Sequence, residues 1–197
     1  MKINLLVILF IVIIFAGCQA VFTYSPFSIF QRDPAKLPPE QQIAWAESVL
    51  ASGDTESMAE AYELLEALLE NDPDNGELNL LAADLAIGAS GLGDLLSSID
   101  LESGTDTLSD ALDSLNYEYL DAVGDHIAAA AESGTEVSES QYVNASAAIV
   151  AGEANEAGGF DNVDWENPSE DLQTALDYAE LGNVDIESYF SSEEGAE

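Results

Sequence analysis

Basic side chains are nearly missing from this chain. Among 197 residues there are 3 Lys and Arg against 39 Asp and Glu, a formal net charge of −36. Nucleic-acid binding needs clustered Lys and Arg to neutralise phosphate, so that class is excluded. Cysteine occurs once, which leaves no pairs for a disulfide scaffold. Histidine also occurs once, so any Ser-His-Asp chemistry has to run through His126. No nucleophile elbow, zinc-ligand spacing, Gly-rich phosphate loop or dinucleotide fingerprint is found. Strand-like alternation is absent from residue 40 onward. What the chain does have is an apolar share of 47%, the fraction of a folding domain and not of a disordered acidic tail. Its length suits one domain with a sizeable core.

The N-terminus reads as an address. Met1-Lys2 is a short positive start, and residues 3–15 are apolar except for Asn4. Ala16, Gly17 and Cys18 follow, completing the charged, apolar and small-residue parts of a secretory signal. The run falls short of the ~20 residues of a comfortable membrane span. An uncleaved membrane anchor is the other reading of the same segment. The end of it, Phe15-Ala16-Gly17-Cys18, resembles the bacterial lipobox, with Phe15 in place of the commoner Leu. The resemblance implies a signal peptide over residues 1–17 and lipidation of Cys18, through which the protein would be held to a bilayer in the cell envelope. One acyl chain binds a membrane only marginally and several bind it stably, and the resemblance implies several. Gln19 after the Cys implies an outer-membrane destination, facing the periplasm or the exterior.

Residues 18–39 are then a tether. Its end holds Pro34, Pro38 and Pro39, which stiffen a chain into extended form. Its first half is aromatic, suited to a lipid interface or to packing on the body. Arg32 and Lys36, the basic residues after the signal, attract anionic lipid, while the acidic body is repelled by it.

Residues 40–182 read as helices. Ile43, Trp45, Ala46, Val49 and Leu50 lie close to one face of a helix over 41–51, stopped by Gly53-Asp54. Thr55 is the expected cap of a second helix reaching about Asn71, with Met58, Ala61, Tyr62, Leu65, Leu68 and Leu69 as its stripe. Residues 72–76 break the chain. Leu78, Leu81, Ala82 and Leu85 open a third helix, interrupted by Gly88, Gly91 and Gly93, with a short helical piece expected over 94–99. Thr107-x-x-Asp110 resembles a capping box. Tyr117, Leu120, Ile127 and Ala131 line the next helix, and Ser138-x-x-Gln141 caps another carrying Tyr142, Ala145, Ile149 and Gly152. Asn167-Pro168-Ser169-Glu170 places a cap, a first-position Pro and an early Glu before Leu172, Ala175, Leu176 and Ala179. Gly182 ends that helix, and residues 183–197 form an acidic tail whose end, Ser191 to Glu197, is expected to be mobile.

Trp45, Gly53-Asp54, Ala61-Tyr62, Leu65, Leu68 and Asp72-Pro73-Asp74-Asn75 resemble a tetratricopeptide repeat (TPR) over about 36 residues, 40–75, with about three extra residues between the turn and the second-helix Ala. Later segments pair helices without a clean copy of the motif. The resemblance implies an all-α fold of antiparallel helix pairs stacked as a TPR-like right-handed superhelix, an α-solenoid. Such stacking builds a continuous core and leaves a concave groove. Trp45, Tyr62 and Leu65 are the candidate groove or repeat positions. Lipobox and degenerate repeats together also resemble, more distantly, lipoproteins that accompany tripartite (TRAP-type) periplasmic transporters.

Carboxylates raise the question of metal. Asp72, Asp74 and Gly76 imitate the start of a calcium loop, but Ala83 stands where the bidentate Glu is required. Asp161, Asp164 and Glu166 form a second acidic loop, a weak calcium candidate beside its reading as a capped turn. The expectation is no resident metal and no cofactor. Asn144-Ala145-Ser146 fits a glycosylation sequon that carries little on the helix of a bacterial lipoprotein. His126, beside Asp125 on a helix, reads as structural. The chain is therefore expected to be a non-catalytic, membrane-anchored scaffold that docks a protein partner outside the cytoplasm. The alternative is an accessory of solute transport that holds a small ligand.

Overall fold

The computed structural model describes residues 33–93, 95 and 112–184. The chain divides into two units, Met1–Leu37 and Pro38–Glu197. In the first, the described part is a single 3-10 turn, Pro34–Lys36, capped by Asp33, whose carboxylate also receives the exposed Lys36 ammonium at 2.7 Å. The signal sequence, Cys18, the short piece over 94–99 apart from Leu95, the Thr107 capping box and the acidic tail beyond residue 184 lie outside the described residues.

The second unit is all-helical among the described residues. Its helices are α1 (Pro39–Ser52), α2 (Thr55–Leu69), α3 (Gly76–Ser90), α4 (Tyr117–Glu132), α5 (Glu139–Ala157) and α6 (Glu170–Leu181), with a 3-10 turn at Phe160–Asn162 before α6. From α2 onward, helix starts are set by short polar side chains that take up otherwise unpaired amides, whereas α1 begins at Pro38-Pro39 with no side-chain cap. Asn75 accepts from the Leu78 amide at 3.2 Å, and Asn116 from Glu118 at 3.2 Å. Ser138 and Gln141 form the expected reciprocal capping box. Two caps differ from the sequence expectation. Asp54, not Thr55, caps α2, because its carboxylate accepts from both the hydroxyl and the amide of Ser57; those bonds hold the acid below the usual carboxylate range. Ser169, not Asn167, caps α6 by accepting from the Leu172 amide at 3.0 Å. Asn167 is already committed to the preceding turn, where its amide donates to Asp164 at 3.0 Å.

The third helix also departs from expectation. Gly88 does not interrupt it, and α3 continues to Ser90. A Cβ at Gly88 would run into the Met58 sulfur of α2, so the glycine serves close packing and not termination. Gly76, at the start of α3, likewise abuts the side chains of Ser133 and Thr135 beyond the end of α4 and leaves no space for a Cβ.

Each helix packs on its successor, α3 on α4 most extensively, and α3 also meets α1 and α5. The burial pattern explains this central place. Helix α2 buries one stripe, Met58, Ala61, Tyr62, Leu65 and Leu69. Helix α3 buries Leu78, Asn79, Ala82, Ala83, Leu85, Ala86, Ala89 and Ser90, which lie around most of its circumference. A helix apolar on every side has to be surrounded. Large fully buried anchors are Leu65, Leu85, Leu120, Ile127 and Leu172. Each contributes roughly 1.5–3 kcal/mol through burial. Alanines fill much of the remaining core, and their small side chains let helix axes approach closely.

Candidate functional site

Helices α4, α5 and α6 enclose a groove of about 360 Å³. Helix α4 contributes Asp121, Gly124, Asp125 and Ala128, residues that recur at helical spacing and share one face. Helix α5 contributes Ile149, Gly152, Glu153 and Glu156 in the same way. Asp171, Thr174 and Tyr178 close it from α6. Gly124 and Gly152 lower the floor, because a Cβ there would occupy space beside Ile149 or Asp121. Tyr178 is fixed at one end: its hydroxyl donates to the Gly124 carbonyl at 3.4 Å and its ring leans on Tyr142, centroids 5.4 Å apart. Burial, assisted by nearby Tyr142, Asp125 and Glu132, pushes the Tyr178 hydroxyl up, so it stays protonated and able to donate. The lining carries five carboxylates, on Asp121, Asp125, Glu153, Glu156 and Asp171, and no Lys or Arg. A concave, weakly apolar floor ringed by negative charge favours a cationic ligand with some apolar surface.

Of the residues read along α5 from the sequence, Ala145 is buried, while Ile149 and Gly152 line this groove with the buried Ala148, Ile149 packing against the core as well. The five rim acids were not singled out, since each is one of many. The available signal was glycine in mid-helix at 124 and 152, which often marks close approach or open space.

The residues nominated from the repeat lie elsewhere. Leu65 has no exposed surface and Tyr62 has 9%, so both belong to the core. Trp45 is half-buried against that core. Asp161, Asp164 and Glu166 are all exposed, and Asp164 is occupied in holding the Asn167 turn. Among the described residues no three His, Cys, Asp or Glu side chains converge as metal ligands. Ser146 of the sequon is fully buried, and its hydroxyl donates to the Ala175 carbonyl at 2.6 Å, joining α5 to α6.

His126 sits in a polar junction between α2, α3 and α4. It is 8% exposed. Its Nδ1 lies 2.9 Å from Asn79 Oδ1, and its Nε2 lies 3.2 Å from the Tyr62 hydroxyl and 3.4 Å from Glu66 Oε1. Tyr62 is edge-on both to the imidazole and to Tyr119. Burial lowers the His126 pKa, opposed by the charges of Glu66 and Asp125. Burial and the neighbouring Glu66 charge push the Tyr62 phenol up to about 12. Both ring nitrogens therefore have protein partners, and the described structure places no serine hydroxyl on either.

No described helix is long and apolar enough to cross a membrane. The chain matches no protein-family model, no curated protein and no solved structure.

Proposed function

We propose that this protein is a lipid-anchored, non-catalytic interaction module that works outside the cytoplasm and docks a basic polypeptide segment in the groove between α4, α5 and α6. The groove's five carboxylates around a small-residue floor are the observation that carries this reading. A segment with Lys or Arg flanking an apolar side chain complements both features. The lipobox-like Phe15-Ala16-Gly17-Cys18 supports anchoring. The pairs α1/α2, α3/α4 and α5/α6, with the further contacts of α3 to α1 and α5, support TPR-like stacking, in which the first helices of successive pairs touch.

Two measurements test the proposal. Radiolabelled palmitate is expected to enter the wild-type chain and not Cys18→Ser; equal labelling removes the anchor from the reading. Crosslinking on intact membranes, with the lipidated protein as bait, is expected to capture a partner that is lost from Gly152→Leu, which fills the groove, and weakened in Glu153→Gln/Glu156→Gln. A partner retained by both variants places docking elsewhere. A small solute held in the groove with no polypeptide captured points instead to the transport-accessory alternative.

A further inference from the structure

The single imidazole of the chain has an unusually complete set of partners, and they determine where its proton resides. Asn79 Nδ2 donates to two backbone carbonyls, Pro73 at 2.9 Å and Asn75 at 3.1 Å. Both of its amide hydrogens are thereby used, which leaves Oδ1, an acceptor only, facing His126 Nδ1 at 2.9 Å. Nδ1 must therefore carry hydrogen. In the uncharged ring Nε2 is then the bare nitrogen, and it accepts from the Tyr62 hydroxyl at 3.2 Å. The same Nε2 has a second neighbour, the Glu66 carboxylate at 3.4 Å, one helical turn beyond Tyr62 on α2. A carboxylate cannot donate to a bare nitrogen, but it is the better acceptor for an N–H.

We propose that His126 is a proton-operated latch: uncharged, it links α2, α3 and α4 through the chain Tyr62–His126–Asn79, and a proton taken up at Nε2 transfers the ring from Tyr62 to Glu66. No covalent bond changes apart from the N–H formed by the solvent proton. Tyr62 ceases to donate to the ring, Glu66 begins to accept from it, and the Nδ1–H bond to Asn79 is kept in both states. The titratable groups around the ring are Tyr62 and Glu66 from α2 and Asp125 from α4, with Tyr119 and Glu118 of α4 acting on Tyr62; α3 presents the neutral Asn79. Glu66 is about half exposed and the His126 side chain 11% exposed, so solvent reaches the ring from the Glu66 side. Asp125 and Ala128 flank this position on α4 and line the groove, so the exchange happens on a helix that forms the groove wall. The inference stands independently of what the groove binds.

Because the chain has one His, long-range proton–nitrogen correlation spectra of the full-length labelled protein report this ring alone. At neutral pH the expected pattern is a protonated Nδ1 and a bare Nε2, the reverse of the tautomer that predominates in water. Acidification is expected to protonate Nε2 in a single step. Glu66→Gln is expected to move that midpoint to lower pH, because the charged ring loses its acceptor. Tyr62→Phe is expected to move it to higher pH, because the uncharged ring loses its donor. Finding the Nε2–H tautomer in the wild type overturns the proposal without recourse to any variant. Midpoints that shift in the same direction in both variants, or in neither, also overturn it.

Discussion

Asp84 shows how a single residue's surroundings set its energetic role. It lies on α3, half-buried, and accepts from the Gln141 side-chain amide at 3.1 Å. Burial raises its pKa, and the Gln141 bond only partly offsets that. The folded state thus holds the Asp84 proton more tightly than the unfolded state does. Linkage then requires the ionised group to cost stability above the raised folded pKa, and that cost to disappear as pH falls toward the ordinary value of 3.8. Asp84→Asn keeps an acceptor for Gln141 and carries no charge to desolvate. It is expected to raise the urea midpoint at pH 7, with the gain shrinking in acid; an unchanged or lower midpoint at pH 7 would contradict this account. At this scale the sequence was legible only in part. The stripe of α2 identified Leu65 and Tyr62 as inward-facing, and both are buried. Nothing in the local pattern tied His126 to Asn79 or Tyr62, which are 47 and 64 positions away along the chain.

The helices themselves were largely written in local chemistry. Asn75 caps α3 immediately after the Pro73-containing break, and Asn75→Ala is expected to cost about 1 kcal/mol in denaturant unfolding. Where local rules misled, a neighbouring helix was the reason. Glycine in a helix interior is about 1 kcal/mol worse than alanine, so propensity alone expects Gly88→Ala to stabilise. The Met58 side chain occupies that space, and the substitution is expected to lower the thermal midpoint instead. Adding Met58→Ala to Gly88→Ala tests the explanation. The double variant should be less destabilised than the sum of the two single changes, because the clash is shared. Strict additivity would show that Gly88 and Met58 do not compete for the space.

Over the whole molecule, charge dominates. A net charge of −36 in 197 residues opposes compaction by self-repulsion, and a Debye length of about 10 Å at 0.1 M salt screens most of that at long range. Melting followed by circular dichroism is expected to show a higher midpoint in molar NaCl than at low ionic strength. A flat midpoint would mean that the carboxylates are too well separated to repel. The groove's rim belongs to the same field, so affinity for a basic segment should fall as salt rises even while the fold gains stability.

The sequence by itself determined the helical class, the positions of most helix starts and the sign of the molecule's field, because capping, periodicity and net charge act through near neighbours or through composition. Tertiary structure alone decided that α3 is the surrounded helix, that Gly76 and Gly88 are packing residues, and that acids from α4, α5 and α6 share one concavity. Those outcomes depend on which helix faces lie against one another, a property of pairs far apart in the chain that no short window of residues encodes.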